Sequence, residues 1–141
     1  MAFDLRSKRR NLYPATALTA GTVTTQTETA KVGIGLRLYI TCSAVTTGGG
    51  NDSVNICAIA PNGTTVALLQ ISQTNYLAQA RTGVIDLHPG VSGNLLGSGI
   101  TVTPFGYYAA ISFTLPLQWC IQLTLGTGNA ATLQVDAEIL P

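Results

Sequence analysis

The sequence predicts an all-β protein, an antiparallel two-sheet β-sandwich of jelly-roll type with an extended N-terminal arm. Three observations predict it. Apolar and polar residues alternate with a period of two in several segments after Val32, turn residues separate these segments at short intervals, and no apolar stripe follows the helical period. Strands of this kind bury one face each, so that two sheets can pack face to face.

We divide the chain into an extended basic N-terminal arm of residues 1–30 and a jelly-roll-like β-sandwich domain of residues 31–141. The arm is rich in Thr and Ala, shows no alternation, and is expected to lie outside the sandwich. The first regular pattern is at residues 34–42, where every second residue is apolar. This pattern predicts a half-buried strand.

The middle of the chain predicts a series of shorter strands. Residues 54–60 and 64–72 predict a hairpin, because the Asn-Gly pair at 62–63 suits a tight turn. Around this hairpin we expect a flexible Gly-rich turn (47–52), an irregular stretch (73–81), two short strands (84–88 and 107–114) and a Gly-rich crossover (92–103).

The two C-terminal segments show the clearest alternation. Residues 118–125 place Trp119 and Leu123 in the buried phase, and residues 132–139 alternate in the same way. A Gly-rich turn at 126–129 separates the two segments. The sequence therefore predicts that they pair with each other as an antiparallel hairpin.

The composition indicates a surface that is partly covered in use. Charged residues make up 9% of the chain, against about 25% in an ordinary soluble domain. The three cysteines, Cys42, Cys57 and Cys120, are too few for a disulfide framework and are expected to be buried thiols. No signal sequence or membrane-spanning segment is recognisable, so we expect synthesis in a reducing cytoplasm and no membrane association.

Catalytic and metal-binding patterns are weak, and we expect neither an enzyme nor a bound cofactor or metal ion. His88 shares a strand face with Asp86, which could orient an imidazole, but a structural pair before Pro89 is the simpler interpretation. Asp136 and Glu138 share an outward strand face and are interpreted as an ordinary solvated face. The single histidine and the wide spacing of the cysteines do not match the usual metal sites.

The basic cluster in the arm is the one charged feature that suggests a function. Ordering ten residues costs roughly 10–20 kcal/mol, whereas four exposed ion pairs return about 1–4 kcal/mol. An ordered arm must therefore bury its apolar residues, which favours docking in a protein groove over binding of nucleic acid; an unbound tail is the other alternative. The candidate docking residues are Phe3, Leu5, Arg6, Lys8, Arg9, Arg10, Leu12 and Tyr13.

A series of segments from about residue 28 onward carries a resemblance to a known family: residues 27–31 (TETAK), 33–40 (GIGLRLYI), 60–63 (APNG), 84–91 (VIDLHPGV), 115–123 (LPLQWCIQL) and 138–141 (EILP). Their pattern and order resemble the capsid decoration, or cement, proteins of tailed bacteriophages, in particular the jelly-roll cement proteins of short-tailed phages. The resemblance implies a virion protein on the outer capsid surface, made in the host cytoplasm, that cements neighbouring capsid subunits and stabilises the head. The implied partners are the major capsid protein and other copies of the chain, with a dimer favoured over a trimer.

Two other functions remain open. A carbohydrate-binding jelly-roll module of a phage surface structure would need exposed aromatic residues, but Trp119 falls in the buried phase of its strand. A coat protein of a small RNA virus would combine a jelly roll with a basic arm. Four cations are few for packaging a genome, however, and a sandwich of roughly 110 residues is small for a self-closing shell.

Overall fold

The structure, a computed structural model, describes residues 9–29, 35–88, 108–112 and 115–140. The regular elements in these ranges are all strands: β1 (Arg9–Thr24), β2 (Glu28–Thr29), β3 (Gly35–Thr46), β4 (Asn51–Ile59), β5 (Thr65–Thr74), β6 (Arg81–His88), β7 (Tyr108–Ser112) and β8 (Gln118–Leu140). The predicted all-β class is confirmed. Within the described ranges, no helix is long and apolar enough to cross a membrane.

All eight strands belong to one sheet, which is curled into a half-barrel. Six of them follow the order β5-β4-β8-β3-β6-β7, and β1 and β2 also pair with β8. Every pairing is antiparallel except that of β6 with β7. Because hydrogen bonds connect all these strands, the predicted division into two sheets with jelly-roll connectivity is not confirmed.

Strand β8 is the centre of the sheet and corrects the predicted C-terminal hairpin. Its first half pairs with β4 and its second half pairs with β3, while β1 lies beside both halves on the opposite edge. Residues 118–125 and 132–139 therefore do not pair with each other but follow one another in a single strand. Each half finds its partners on other strands, so residues 126–129 bend the chain and do not reverse it.

One ion pair shows how strongly the sheet curls. The Nη1 atom of Arg10 in β1 lies 3.1 Å from Oε2 of Glu28 in β2. If the chain between these residues were fully extended, its ends would lie roughly 60 Å apart. The strip formed by β1 and β2 therefore folds back on itself together with β8. As a result, the inner face of the half of the sheet that contains β4 lies opposite the inner face of the half that contains β3.

The inner faces build the hydrophobic core. On β3 the alternate residues Leu36, Leu38 and Ile40 are 0–1% exposed, as the period-two pattern predicts. Leu123 and Val135, one in each half of β8, are both fully buried. Other core members are Leu12, Val54, Ile56, Leu69, Ile71, Tyr76, Leu77, Ile85, Leu87, Trp119, Ile121, Leu125 and Leu133. The two halves of the sheet therefore share one core.

A buried carboxylate, that of Asp52, lies where the sheet bends. Asp52 has no exposed surface, and its two oxygens accept four hydrogen bonds. The donors are the backbone amides of Leu77, Ala78 and Gly126 and the side-chain amide of Asn129, at 2.7–3.2 Å. One side chain thus ties together three bends that are far apart in the sequence. Buried polar groups are stable only when they are bonded in this way.

Asn129 completes this arrangement from β8. Its Oδ1 accepts a hydrogen bond from the Gly48 amide at 2.7 Å, and its Nδ2 donates to the Gly50 carbonyl at 3.0 Å. A Cβ added to Gly48, Gly50 or Gly126 would meet facing backbone atoms closer than 3.0 Å, so these glycines permit the close approach. The turn at 47–52, predicted to be flexible, is held in place by buried hydrogen bonds.

Candidate protein-binding surface

The outer face of β3 and the second half of β8 is polar. Strand alternation turns Arg37, Tyr39 and Thr41 outward on β3. The register places these three opposite Glu138, Asp136 and Gln134 of β8, respectively. Asp136 and Glu138 thus lie on a polar surface made by several strands, but Glu138 is only 9% exposed, so the prediction that both are solvated is wrong for this residue.

Strand β1 is joined to this face through Arg9. The Tyr39 hydroxyl donates to Oε2 of Glu138 at 2.9 Å, and Nε of Arg9 lies 3.6 Å from Oε1 of the same carboxylate. The guanidinium of Arg9 also lies 5.6 Å from the centroid of the Tyr39 ring, within range of a cation–π contact. Since the Arg9 side chain is 73% exposed, its own two contacts contribute little to stability.

A groove of about 430 Å³ lies between β1 and the β3–β6 pair, across β8. Asp136 is central to it, accepting hydrogen bonds from Asn11 and Gln134 side-chain amides, each at 2.9 Å. The lining residues are Arg9, Arg10, Asn11, Tyr39, Thr41, Thr82 and Asp136. Cations, a carboxylate, amides, hydroxyls and one aromatic ring therefore meet in one groove. Such a mixture suits hydrogen bonding to a polar protein surface better than to a strongly charged ligand.

The predicted docking arm is only partly described by the structure. Phe3, Leu5, Arg6 and Lys8 lie outside the described residues, whereas Arg9, Arg10, Leu12 and Tyr13 belong to β1. Leu12 is 8% exposed and Tyr13 packs against the same core. These two apolar residues therefore bury within the protein itself. Residues 9–29, which were assigned to the arm, form two strands of the sheet, so the proposed boundary at residue 30 does not mark the beginning of the sheet.

Asp86 forms an ion pair with an arginine. Its two carboxylate oxygens accept hydrogen bonds from Nε and Nη2 of Arg37 at 2.7 and 2.9 Å. This bidentate pair raises the pKa of Arg37 above its ordinary value. A Cβ on Gly35 would collide with the His88 ring, which lies against the neighbouring strand. The partner of Asp86 that the structure shows is therefore Arg37 on the neighbouring strand.

The three cysteines are free and buried, which confirms the predicted buried thiols. Burial raises the pKa of Cys42 and of Cys57 to about 12. Cys57 lies opposite Cys120 across β4 and β8. In the part of the chain that the structure describes, no three His, Cys, Asp or Glu side chains are grouped so that they could hold a metal ion.

Sequence reasoning did not find the groove. The outward residues Tyr39 and Thr41 were visible from alternation, but Asn11 was assigned to the arm and Thr82 to no predicted element. Only the register shows that these strands are neighbours. Comparison with protein-family models, with curated proteins and with solved structures gave no match.

Proposed function

We propose that the chain is a capsid decoration protein of a tailed bacteriophage, which binds the outside of the icosahedral shell and cements neighbouring major capsid protein subunits. One observation carries the proposal: every charged side chain that the structure describes has a partner inside the protein. Arg9 pairs with Glu138, Arg10 with Glu28 and Arg37 with Asp86; Arg81 bonds to Gln79; Asp52 and Asp136 accept hydrogen bonds from amide groups. The described surface therefore carries few charges that lack an internal partner, although Arg9 and Arg10 stay largely exposed. The centres of protein interfaces are likewise poor in unpaired charge.

The arm and the groove together form the proposed capsid contact. Residues 1–8 precede Arg9, and Arg9 lines the groove, so the two features are continuous along the chain. Of the cations in the arm, Arg9 and Arg10 already pair with Glu138 and Glu28. This reduces the charge available for nucleic acid and supports a protein partner.

A clamp of this kind stabilises a shell even when each contact is weak. A copy that touches two capsid subunits gains from effective concentration, because the second contact forms within one particle. Each contact is expected to bury roughly 800 Å² per partner. We keep the two-sheet jelly-roll arrangement as part of the proposal, because the two halves of the curled sheet share a core as the sheets of a sandwich do. The carbohydrate-binding alternative is weakened, since Trp119 is only 5% exposed.

Co-sedimentation with phage heads tests the proposal. Heads purified from a phage that lacks the gene for this chain are mixed with purified protein, and occupancy is measured after centrifugation and imaged by electron microscopy. We expect saturable binding at regular positions on the outer surface. Absence of binding, or binding only to free nucleic acid, would overturn the proposed function.

Deleting residues 2–8 tests the arm without disturbing β1. We expect an unchanged melting temperature and an affinity for heads reduced by at least about tenfold. Thr24→Ala, at the exposed far end of β1, serves as the control and should bind as the unmodified protein does. Unchanged affinity after the deletion would show that the arm is not part of the contact.

A further inference from the structure

We propose that Cys57 and Cys120 are an oxidation site, whose two thiols join in an intramolecular disulfide when the protein meets a peroxide. The disulfide links the neighbouring strands β4 and β8 covalently and stabilises the sheet. The inference goes beyond the proposed function and does not depend on capsid binding. It rests on the register of the two strands, on the contact between the two thiols and on the face of the sheet that they occupy.

The register of β4 and β8 places the two cysteines directly opposite each other. Cys57 pairs with Cys120 within a run of six consecutive residue pairs that contains no register shift. The backbone N–H and C=O of Ile121 both bond to Thr25 on the other side of β8, so the backbone groups of Cys120 point towards β4. In such a hydrogen-bonded pair the two Cα atoms lie about 5.5 Å apart. Disulfides most often join residues whose Cα atoms are about 5.5–6 Å apart, so the backbone spacing suits a disulfide.

The two thiols are also in contact. Cys57 and Cys120 form a side-chain hydrogen bond with each other, and both are free cysteines. Burial raises the pKa of Cys57 to about 12 and also raises the pKa of Cys120, so both thiols are neutral at neutral pH. The thiolate is the reactive form, so the pair stays reduced until an oxidant reaches it, and its oxidation becomes faster as the pH rises.

The two thiols point to the outer face of the sheet and not into the core. Their chain neighbours Ile56 and Ile121 belong to the hydrophobic core, so strand alternation turns Cys57 and Cys120 to the opposite side. Both cysteines are nevertheless buried, with exposed fractions of 0% and 1%. Cys42, by contrast, belongs to the core, and neither of its cross-strand partners is a cysteine. A small oxidant therefore approaches the pair from the outer face without entering the core.

Oxidation by hydrogen peroxide closes the pair in two steps. In the first step, one thiol is oxidised to a sulfenic acid while the O–O bond of the peroxide breaks and a water molecule leaves. In the second step, the other sulfur attacks the sulfenic sulfur, so that the S–S bond forms and the S–O bond breaks. The hydroxyl group leaves as a second water molecule with the proton of the attacking thiol. The two thiols thus lose two protons and two electrons, and the peroxide is reduced to water.

Mass spectrometry of the purified full-length chain tests the inference. The folded protein is treated with hydrogen peroxide and then unfolded, and its remaining thiols are alkylated. We expect the chain to lose about 2 Da before alkylation, because two hydrogen atoms leave. One of the three cysteines should then be alkylated, and a digest should contain a peptide pair that links Cys57 to Cys120. Reduction with dithiothreitol should restore alkylation of all three cysteines.

Matched alanine variants distinguish the pair from the third cysteine. Cys57→Ala and Cys120→Ala each remove one partner, and we expect no intramolecular disulfide in either variant. Cys42→Ala is the control and should form the disulfide as the unmodified protein does. Circular dichroism melting confirms that each variant is folded. The linked peptides of the unmodified protein test the same pairing without any variant.

The disulfide should also stabilise the protein. It closes the long loop of chain from Cys57 to Cys120, and a cross-link across a long loop restricts the unfolded chain most. We expect the oxidised protein to melt at least about 5 °C above the reduced protein, with no such rise in Cys57→Ala. An oxidised protein that melts no higher would overturn the stabilising link. Three alkylated cysteines after peroxide treatment, a disulfide that involves Cys42, or a disulfide that forms only in urea would overturn the inference as a whole.

Discussion

Two strands at edges of the sheet in the described residues, β1 and β5, differ in how they are protected. β1 has three register irregularities against β8, an interrupting Pro14, and two arginines at its start. β5 has one irregularity against β4 and neither proline nor charge. Bulges, prolines and charges each hinder the addition of a further strand. The comparison teaches that a position at the edge of one sheet does not by itself determine the chemistry that an edge strand carries.

The substitution with the largest expected effect tests whether β1 and β5 belong to one sheet that unfolds cooperatively. Leu123 in β8 lies between Val23 of β1 and Val54 of β4, and it is fully buried. Leu123→Asp would bury an unpaired charge and is expected to unfold the protein, at a cost above about 4 kcal/mol. Circular dichroism and urea unfolding measure this.

The control lies next to it on the same strand. Gln122→Asp changes a half-buried, outward residue and is expected to cost about 1 kcal/mol or less. If Leu123→Asp melted cooperatively at the temperature of the unmodified protein, the described core and the central position of β8 would be wrong.

The next effect concerns the bend that connects the two halves of the sheet. Asp52→Ala leaves four buried or partly buried donors without their acceptor. We expect a loss of about 3–5 kcal/mol in the free energy of unfolding. Asp136→Ala, at the groove, is the matched control and is expected to cost about 1 kcal/mol, since its partners reach solvent. Equal losses for the two variants would show that the bend does not hold the halves together.

The ionisation of the Cys57 thiol reports on the β5 side of the sheet and not on the β1 side. Cys57 in β4 lies opposite Ala67 of β5, so its exposure reports the opening of that edge. Burial raises the pKa of Cys57 from 9.0 to about 12, which favours the neutral thiol in the folded state. This contribution to stability is complete below about pH 9 and is lost as the pH rises towards about 12.

Alkylation at several pH values measures this contribution. We expect folded protein to react slowly with iodoacetamide at pH 8, because its cysteines are buried. Pro14→Ala, on the β1 edge, should leave the rate at Cys57 unchanged. Rapid labelling of the unmodified folded protein at pH 8 would contradict the burial of this thiol.

The smallest effect tests the protection of β1. Pro14→Val restores a backbone N–H to this edge and adds a β-branched residue. We expect a small increase in self-association, less than about tenfold, because Arg9 and Arg10 remain. Sedimentation at several concentrations measures it, and Thr16→Val serves as a control that adds no N–H. An increase of about tenfold or more would show that Arg9 and Arg10 do not protect this edge.

Local patterns predicted several elements correctly. Alternation at residues 34–42 corresponds to β3, and the Asn-Gly turn joins β4 and β5 with Gly63 at a φ of 86°. Residues 75–80 lie outside the strands, whereas the two ends of the stretch 73–81 that was predicted to be irregular belong to β5 and β6. Part of the candidate surface was also visible, since Asp136 and Glu138 were placed on one face, although Glu138 is buried there and not solvated as predicted. These features depend on neighbouring residues alone, and the sequence displays them directly.

The sequence by itself thus determined the all-β class, the buried phase of β3 and β8 and the scarcity of charge. Only the tertiary structure decided that residues 126–129 bend β8, that Arg9–Thr24 joins the sheet, and that β5 ends it. The reason is physical: a period of two determines which side of a strand meets the core but does not specify the strand beside it. That neighbour depends on hydrogen bonds between residues far apart in the chain, such as those of Asp52 and Asn129.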